Sequence, residues 1–133
     1  MKMFAEHTRV PIKQTKGDIE AICGKYGADK FGMTVETGRA IVMFQANGRT
    51  LRFVLPLPVG TDPKTEQALR VKWRCLLLAI KGKFETVANK IETFDEAFLA
   101  HVVMEDGATA YEKMQPMLLA APQETRTLER RPT

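Results

Sequence analysis

The sequence predicts an α+β fold: a three-stranded antiparallel meander packed on one face by a long helix, in the order α-β-β-β-α-α-α. Three observations predict it. Two turn signals, Thr37-Gly38 and Asn47-Gly48, divide residues 30–56 into three runs. Counting outward from each turn gives strand pairings that agree on one apolar face. Beyond Pro63 a single apolar stripe then recurs at helical spacing for roughly 28 residues.

The first helix is signalled by Thr15-Lys16-Gly17-Asp18, which has the form of a capping box with Asp in place of Glu. Ile19, Ile22, Cys23 and Tyr26 follow on one helical face, and Gly27 can take the left-handed conformation that stops a helix. In the meander, two-residue turns place Glu36 opposite Arg39, Val35 opposite Ala40, Met33 opposite Val42 and Phe31 opposite Phe44. Across the second turn Phe44 faces Leu51, Val42 faces Phe53 and Ala40 faces Leu55. All these side chains except the Glu36–Arg39 pair form one apolar face. Lys30, Thr34, Glu36, Arg39, Ile41, Met43, Gln45, Thr50, Arg52 and Val54 form the other. A slip of one residue would destroy the agreement. Pro56 and Pro58 end the sheet, since neither donates to a ladder.

Asp62 as cap and Pro63 at the first helical position open the long helix. Leu69, Trp73, Leu76, Ile80, Phe84, Val87 and Ile91 are its stripe, and Gly82 within it marks a bend or a close packing contact. Thr93 with Glu96 is a second capping box, opening a short helix with Phe94, Ala97, Phe98, His101 and Val102 on its apolar side. Glu105-Asp106-Gly107 breaks it. Thr109 with Glu112 caps a last helix bearing Tyr111, Met114 and Leu118, which Pro116 kinks or shortens. The expected organisation is a flexible arm over 1–14, one domain over 15–121 and a flexible tail over 122–133.

At 133 residues and 15.0 kDa the chain is one domain's worth, too short for a barrel or a full dinucleotide-binding enzyme. It is 44% hydrophobic and 27% charged, which excludes wholesale disorder. Cys23 and Cys75 read as small apolar residues in a reducing cytoplasm, with a disulfide open only to geometry. No apolar run has signal-peptide or membrane-span length, so the expected location is cytoplasmic, with no membrane partner.

Nothing marks catalysis. His7 lies in the expected arm, and His101 reads as a partly buried histidine with satisfied partners. No His/Cys/Asp cluster has metal-ligand spacing and no glycine-rich phosphate loop occurs, so the reading is a non-enzyme with no metal and no cofactor.

Charge is more informative. The net charge is +4, unevenly spread: residues 61–83 hold Lys64, Arg70, Lys72, Arg74, Lys81 and Lys83 against Asp62 and Glu66. Residues 84–121 hold seven acids against Lys90 and Lys113. On the open sheet face Arg39 and Arg52 stand beside Ile41, Met43, Gln45 and Thr50, with Arg49 at the hairpin tip. Arg70, Arg74 and Lys81 lie away from the stripe of the long helix, with Lys72 and Lys83 on its flank. Cations beside groups on which bases can lie suit nucleic acid, although that sheet face carries no aromatic ring.

Tyr26-Gly27-Ala28, Arg52 to Pro58, Trp73 to Leu78, and Thr93-Phe94 with Phe98 to His101 resemble a group of small proteins of unassigned function from tailed bacteriophages and prophages. The resemblance spans residues 15–118. It implies a phage origin, a bacterial host cytoplasm and a role in infection, and supplies no catalytic residues.

The expected function is a phage-type nucleic-acid-binding accessory protein in replication, recombination or repair, with DNA favoured and single-stranded DNA a candidate form. Arg39, Arg49, Arg52, Arg70, Lys72, Arg74, Lys81 and Lys83 would contact phosphates. The alternative is a protein-binding inhibitor of a host factor or defence system, docking through Asp95, Glu96, Glu105 and Asp106. A homo-oligomer is open in either case.

Overall fold

The Asn47-Gly48 turn places both its residues in left-handed backbone, φ 52° and 76°, which matches the twist of the strands it joins. The computed structural model, which describes residues 5–123, accordingly shows three antiparallel strands, β1 (Asp29–Glu36), β2 (Arg39–Ala46) and β3 (Arg49–Pro56), in the order β1-β2-β3. Glu36 pairs with Arg39, Met33 with Val42, Val42 with Phe53 and Phe44 with Leu51, as the turn arithmetic predicts. Ala40, Val42, Phe44, Leu51, Phe53 and Leu55 are buried on one face.

The register departs from expectation at one end of β1. Asp29 pairs with Gln45 and Gly32 with Met43, so Lys30 and Phe31 together oppose Phe44. The extra residue is a bulge, and Lys30 adopts φ 51° within it. Phe31 still reaches the core side, its ring 6.5 Å from that of Phe44, but the expected one-to-one pairing is absent.

Helices cover the buried face. The first, α1 (Ile12–Lys25), starts three residues earlier than its apparent capping box. Pro11 sits at the N-cap with φ −59° and its carbonyl accepts from the Thr15 N–H at 3.1 Å. Thr15 is therefore inside the helix and buried, not a cap. The expected arm is correspondingly shorter. Ala5 is buried, and the Thr8 carbonyl accepts from Gln67 Nε2 at 2.9 Å. At the other end Gly27, at φ 85°, closes α1 with bonds from its N–H to Gly24 and from the Ala28 N–H to Cys23.

The long helix α2 (Pro63–Ala88) is capped by Asp62, whose carboxylate accepts from the Thr65 N–H. It buries Trp73, Leu76, Leu77, Ile80 and Phe84. Gly82 makes no close packing contact: a Cβ there would meet nothing within 4 Å. The helix stops at Ala88 because Lys90 takes φ 61°, sending its own N–H to Val87 and that of Ile91 to Thr86. Ile91 therefore leaves the predicted stripe and is 74% exposed.

The chain continues through α3 (Phe94–Phe98), a 3-10 turn (Leu99–His101) and α4 (Ala110–Ala120). Thr93 with Glu96 and Thr109 with Glu112 form the two capping boxes the sequence predicts. The core centres on Phe44, whose ring lies 6.0 Å from Phe53, 6.0 Å from Phe84 and 6.4 Å from Phe98. Between the 3-10 turn and α4, Val102 bridges Leu51, and the Val103 N–H donates to the Thr50 carbonyl at 2.8 Å, so this segment clips onto the outer edge of β3. Of the expected tail, residues 124–133 lie outside the described residues.

Candidate nucleic-acid interface

An arginine is available to a phosphate only if no carboxylate of its own chain already fills its fork. At the hairpin tip Arg49 donates from Nε and Nη2 to the two oxygens of Asp95, at 3.0 and 2.7 Å. The bond holds Asp95 below the ordinary carboxylate range and Arg49 above its own. On the open sheet face Arg52 donates to the Gly107 carbonyl at 3.0 Å and to Glu112 at 2.8 Å. Arg39 pairs with Glu36 beside the first turn. All three hairpin arginines are thus held by acids, two of them from the acidic third of the sequence. The split between a basic and an acidic region serves internal docking here: Asp95 and Glu112 fix α3 and α4 to β3.

On α2 the pattern differs. Arg70 lies against Gln67, donating to its Oε1 at 2.9 and 2.7 Å. Lys83 reaches the Ala97 carbonyl at 3.2 Å, on the α3 side. Lys72 is exposed. Arg74 and Lys81 line a groove of about 290 Å³ between α1 and α2. Asp18, Ala21, Ile22 and Lys25 of α1 form its other wall with Leu77 at its side. Three cations from two helices therefore meet one carboxylate. Asp18 accepts from Arg74 at 3.1 Å, leaving Lys25 and Lys81 as the groove's surplus positive charge. Lys25 also rests over the Tyr26 ring at 5.6 Å.

The structure therefore brings the predicted cations together in two separate pairs: Arg74 with Lys81 in this groove, and Arg39 with Arg52 in a groove of about 540 Å³ on the open sheet face, where Glu36 and Glu112 already hold them. Lys25 was missed. It lies seven residues after Asp18, on the same face of α1, but only the packing of α1 on α2 makes that spacing meaningful.

The acidic alternative is also dispersed. Asp95 is held by Arg49, and Glu96 closes its capping box on the Thr93 N–H at 2.8 Å. Asp106 accepts from Lys113 at 2.8 Å, and Glu105 stands exposed. Hydrogen bonding lowers the pKa of Glu96, to Thr93, and of Asp106, first to Lys113.

Burial, reinforced by Glu20, pushes the Cys23 thiol up to about 12, so it stays protonated. Cys75 is also a free thiol. His101 stacks on Phe53 with ring centroids 4.0 Å apart. Burial, then the nearby Lys83, lower its pKa against a hydrogen bond to the Arg52 backbone, keeping the ring neutral. Among the described residues no three His, Cys, Asp or Glu side chains are grouped to hold a metal ion, and no helix is long and apolar enough to cross a membrane. Compared with protein families, with curated proteins and with solved structures, the chain matches none.

Proposed function

We propose that this protein is a small nucleic-acid-binding accessory protein, and that it holds the phosphate backbone in the α1–α2 groove. The setting is the one its resemblance to phage proteins implies: replication, recombination or repair in a bacterial host cytoplasm. The observation that carries the reading is the convergence of Lys25, Arg74 and Lys81 on one groove with Asp18 as the sole acid in its lining. Two exposed lysines flanking a guanidinium suit a phosphate track, because lysine binds phosphate as a point charge from many directions. The groove offers no ring for stacking and no row of base-reading side chains. Binding is accordingly expected to follow the backbone and to be indifferent to sequence.

Fluorescence anisotropy of the full chain with single-stranded and duplex DNA, across a salt series, tests this. Two phosphate contacts, from Lys25 and Lys81, give a slope of log affinity against log salt of about −1.4 on single strands, since Arg74 is already held by Asp18. Lys25→Ala with Lys81→Ala should flatten it by more than one unit, since two contacts are lost at about 0.7 each. Arg49→Ala should leave it unchanged, because that side chain is already held by Asp95. Wild-type protein that binds no nucleic acid at low salt would end this reading and leave the protein-binding inhibitor as the leading one.

A further inference from the structure

We infer that the apolar face of α4 is the contact surface for a second copy of this chain. The inference is independent of the nucleic-acid reading and rests on other residues. It begins with an energetic mismatch. α4 has 11 residues with Pro116 in its interior, and it buries only Ala110. Helices this short are marginal alone and draw their stability from burying an apolar face. An interior proline also removes a hydrogen bond and crowds the preceding turn. Tyr111, Met114, Met117 and Leu118 are nonetheless exposed along it, and Leu99 and Met104 are exposed beneath it.

These side chains form one patch. Met114 lines two adjoining grooves, of about 310 and 400 Å³, and Leu99 lies in both. Met104 borders the first groove, and Tyr111 and Leu118 border the second. Together with Met117 they expose on the order of 600 Å², the upper end of what a monomer ordinarily leaves uncovered. Adding a polar rim brings this close to the ~800 Å² per partner of a standard interface.

The rim chooses the occupant. Arg49 with Asp95 and Lys113 with Asp106 flank the first groove as pairs already neutralised within the chain, and Lys83 stands with Glu92 and Glu96 at the second, so the rim mixes both signs and nearly cancels. A strongly charged partner finds no field to recognise there. A second copy, otherwise repelled by a net charge of +4, meets none of that repulsion at this face. An apolar patch whose rim carries both signs in near balance can meet its own copy, cation to acid, as a two-fold contact requires. The segment 124–133 that follows α4 in the sequence contains one large apolar side chain, Leu128.

Sedimentation equilibrium of the full chain, without nucleic acid, tests the inference. The expected mass is twice the 15.0 kDa of one chain, falling to a single chain on dilution. Met114→Glu with Leu118→Glu should give the single-chain mass at every concentration, with Trp73 fluorescence unchanged. Val35→Glu, on the half-exposed end of β1, should leave the dimer intact. Should the double variant fail to fold, Met117→Gln keeps a flexible side chain of similar length and should still weaken association at least tenfold. A wild type that stays at single-chain mass at high micromolar concentration, or a dimer indifferent to the folded α4 variants, would overturn the inference. Neither outcome bears on the groove, whose lining shares no residue with this patch.

Discussion

Helices α2 and α4 both open on a side-chain cap, and both space apolar residues by three and four. Yet α2 buries five large side chains under the sheet, while every residue of α4 after Ala110 is exposed. The difference is one of supply. The sheet has a single apolar face, and α2 with α1 and α3 already covers it. Spacing shows that a helix has an apolar side; it does not show whether the same chain provides a cover for it.

The sharpest way to break this comparison is to truncate one large side chain in each helix. Phe84→Ala removes a ring packed 4.9 Å from Phe98 and stacked 4.8 Å from Tyr26, and should cost about 3–5 kcal/mol in urea denaturation. Leu119→Ala removes a side chain that is 77% exposed and should fall within about 0.5 kcal/mol of wild type. Similar losses at the two positions would mean that α4 is covered within the chain after all.

A smaller effect is expected at Gly82. It lies inside α2 with open space where a Cβ would stand. Gly82→Ala should therefore raise stability by roughly 0.5–1 kcal/mol, the helical preference of alanine over glycine. A destabilised Gly82→Ala would show that α2 needs the glycine for a bend.

The smallest expected effect is on pH dependence where the 3-10 turn meets β3. His101 is neutral in the fold, with its pKa below the ordinary 6.5 because burial disfavours the charged ring. The unfolded chain binds the proton more readily, so stability is full above pH 6.5 and declines as the pH falls toward the folded value. His101→Phe keeps a ring on Phe53 and removes the titration. Its melting temperature should fall less than that of wild type between pH 7 and pH 5, and equal declines would place the titrating group elsewhere.

The meander was legible because Asn47-Gly48 and Thr37-Gly38 each fix a register, and one buried face demanded that both hold. The bulge was not, although Gly32 inside a strand is a mark of one. The start of α1 was obscured by Thr15, whose spacing to Asp18 imitates a cap while Pro11 sets the true boundary. The candidate site was the least legible part. Eight cations look alike in a linear sequence. Arg49 and Asp95 are 46 residues apart, and Arg52 and Glu112 are 60 apart, so only the tertiary fold decides which cations remain for a ligand.

The two borders of the sheet carry a consequence for growth into fibres. At β1 the bulge interrupts the border at Lys30 and Phe31, leaving Gly32 to Glu36 as its longest regular stretch. At β3 the Val102–Val103 clip occupies Thr50 and Leu51, leaving Arg52 to Pro56, which ends on a residue without an N–H. Neither border offers the six or seven regular residues on which stacked fibrils are built. Strand-by-strand polymerisation is closed at both ends, in a chain whose strands carry apolar runs from Ala40 to Phe44 and from Phe53 to Leu55.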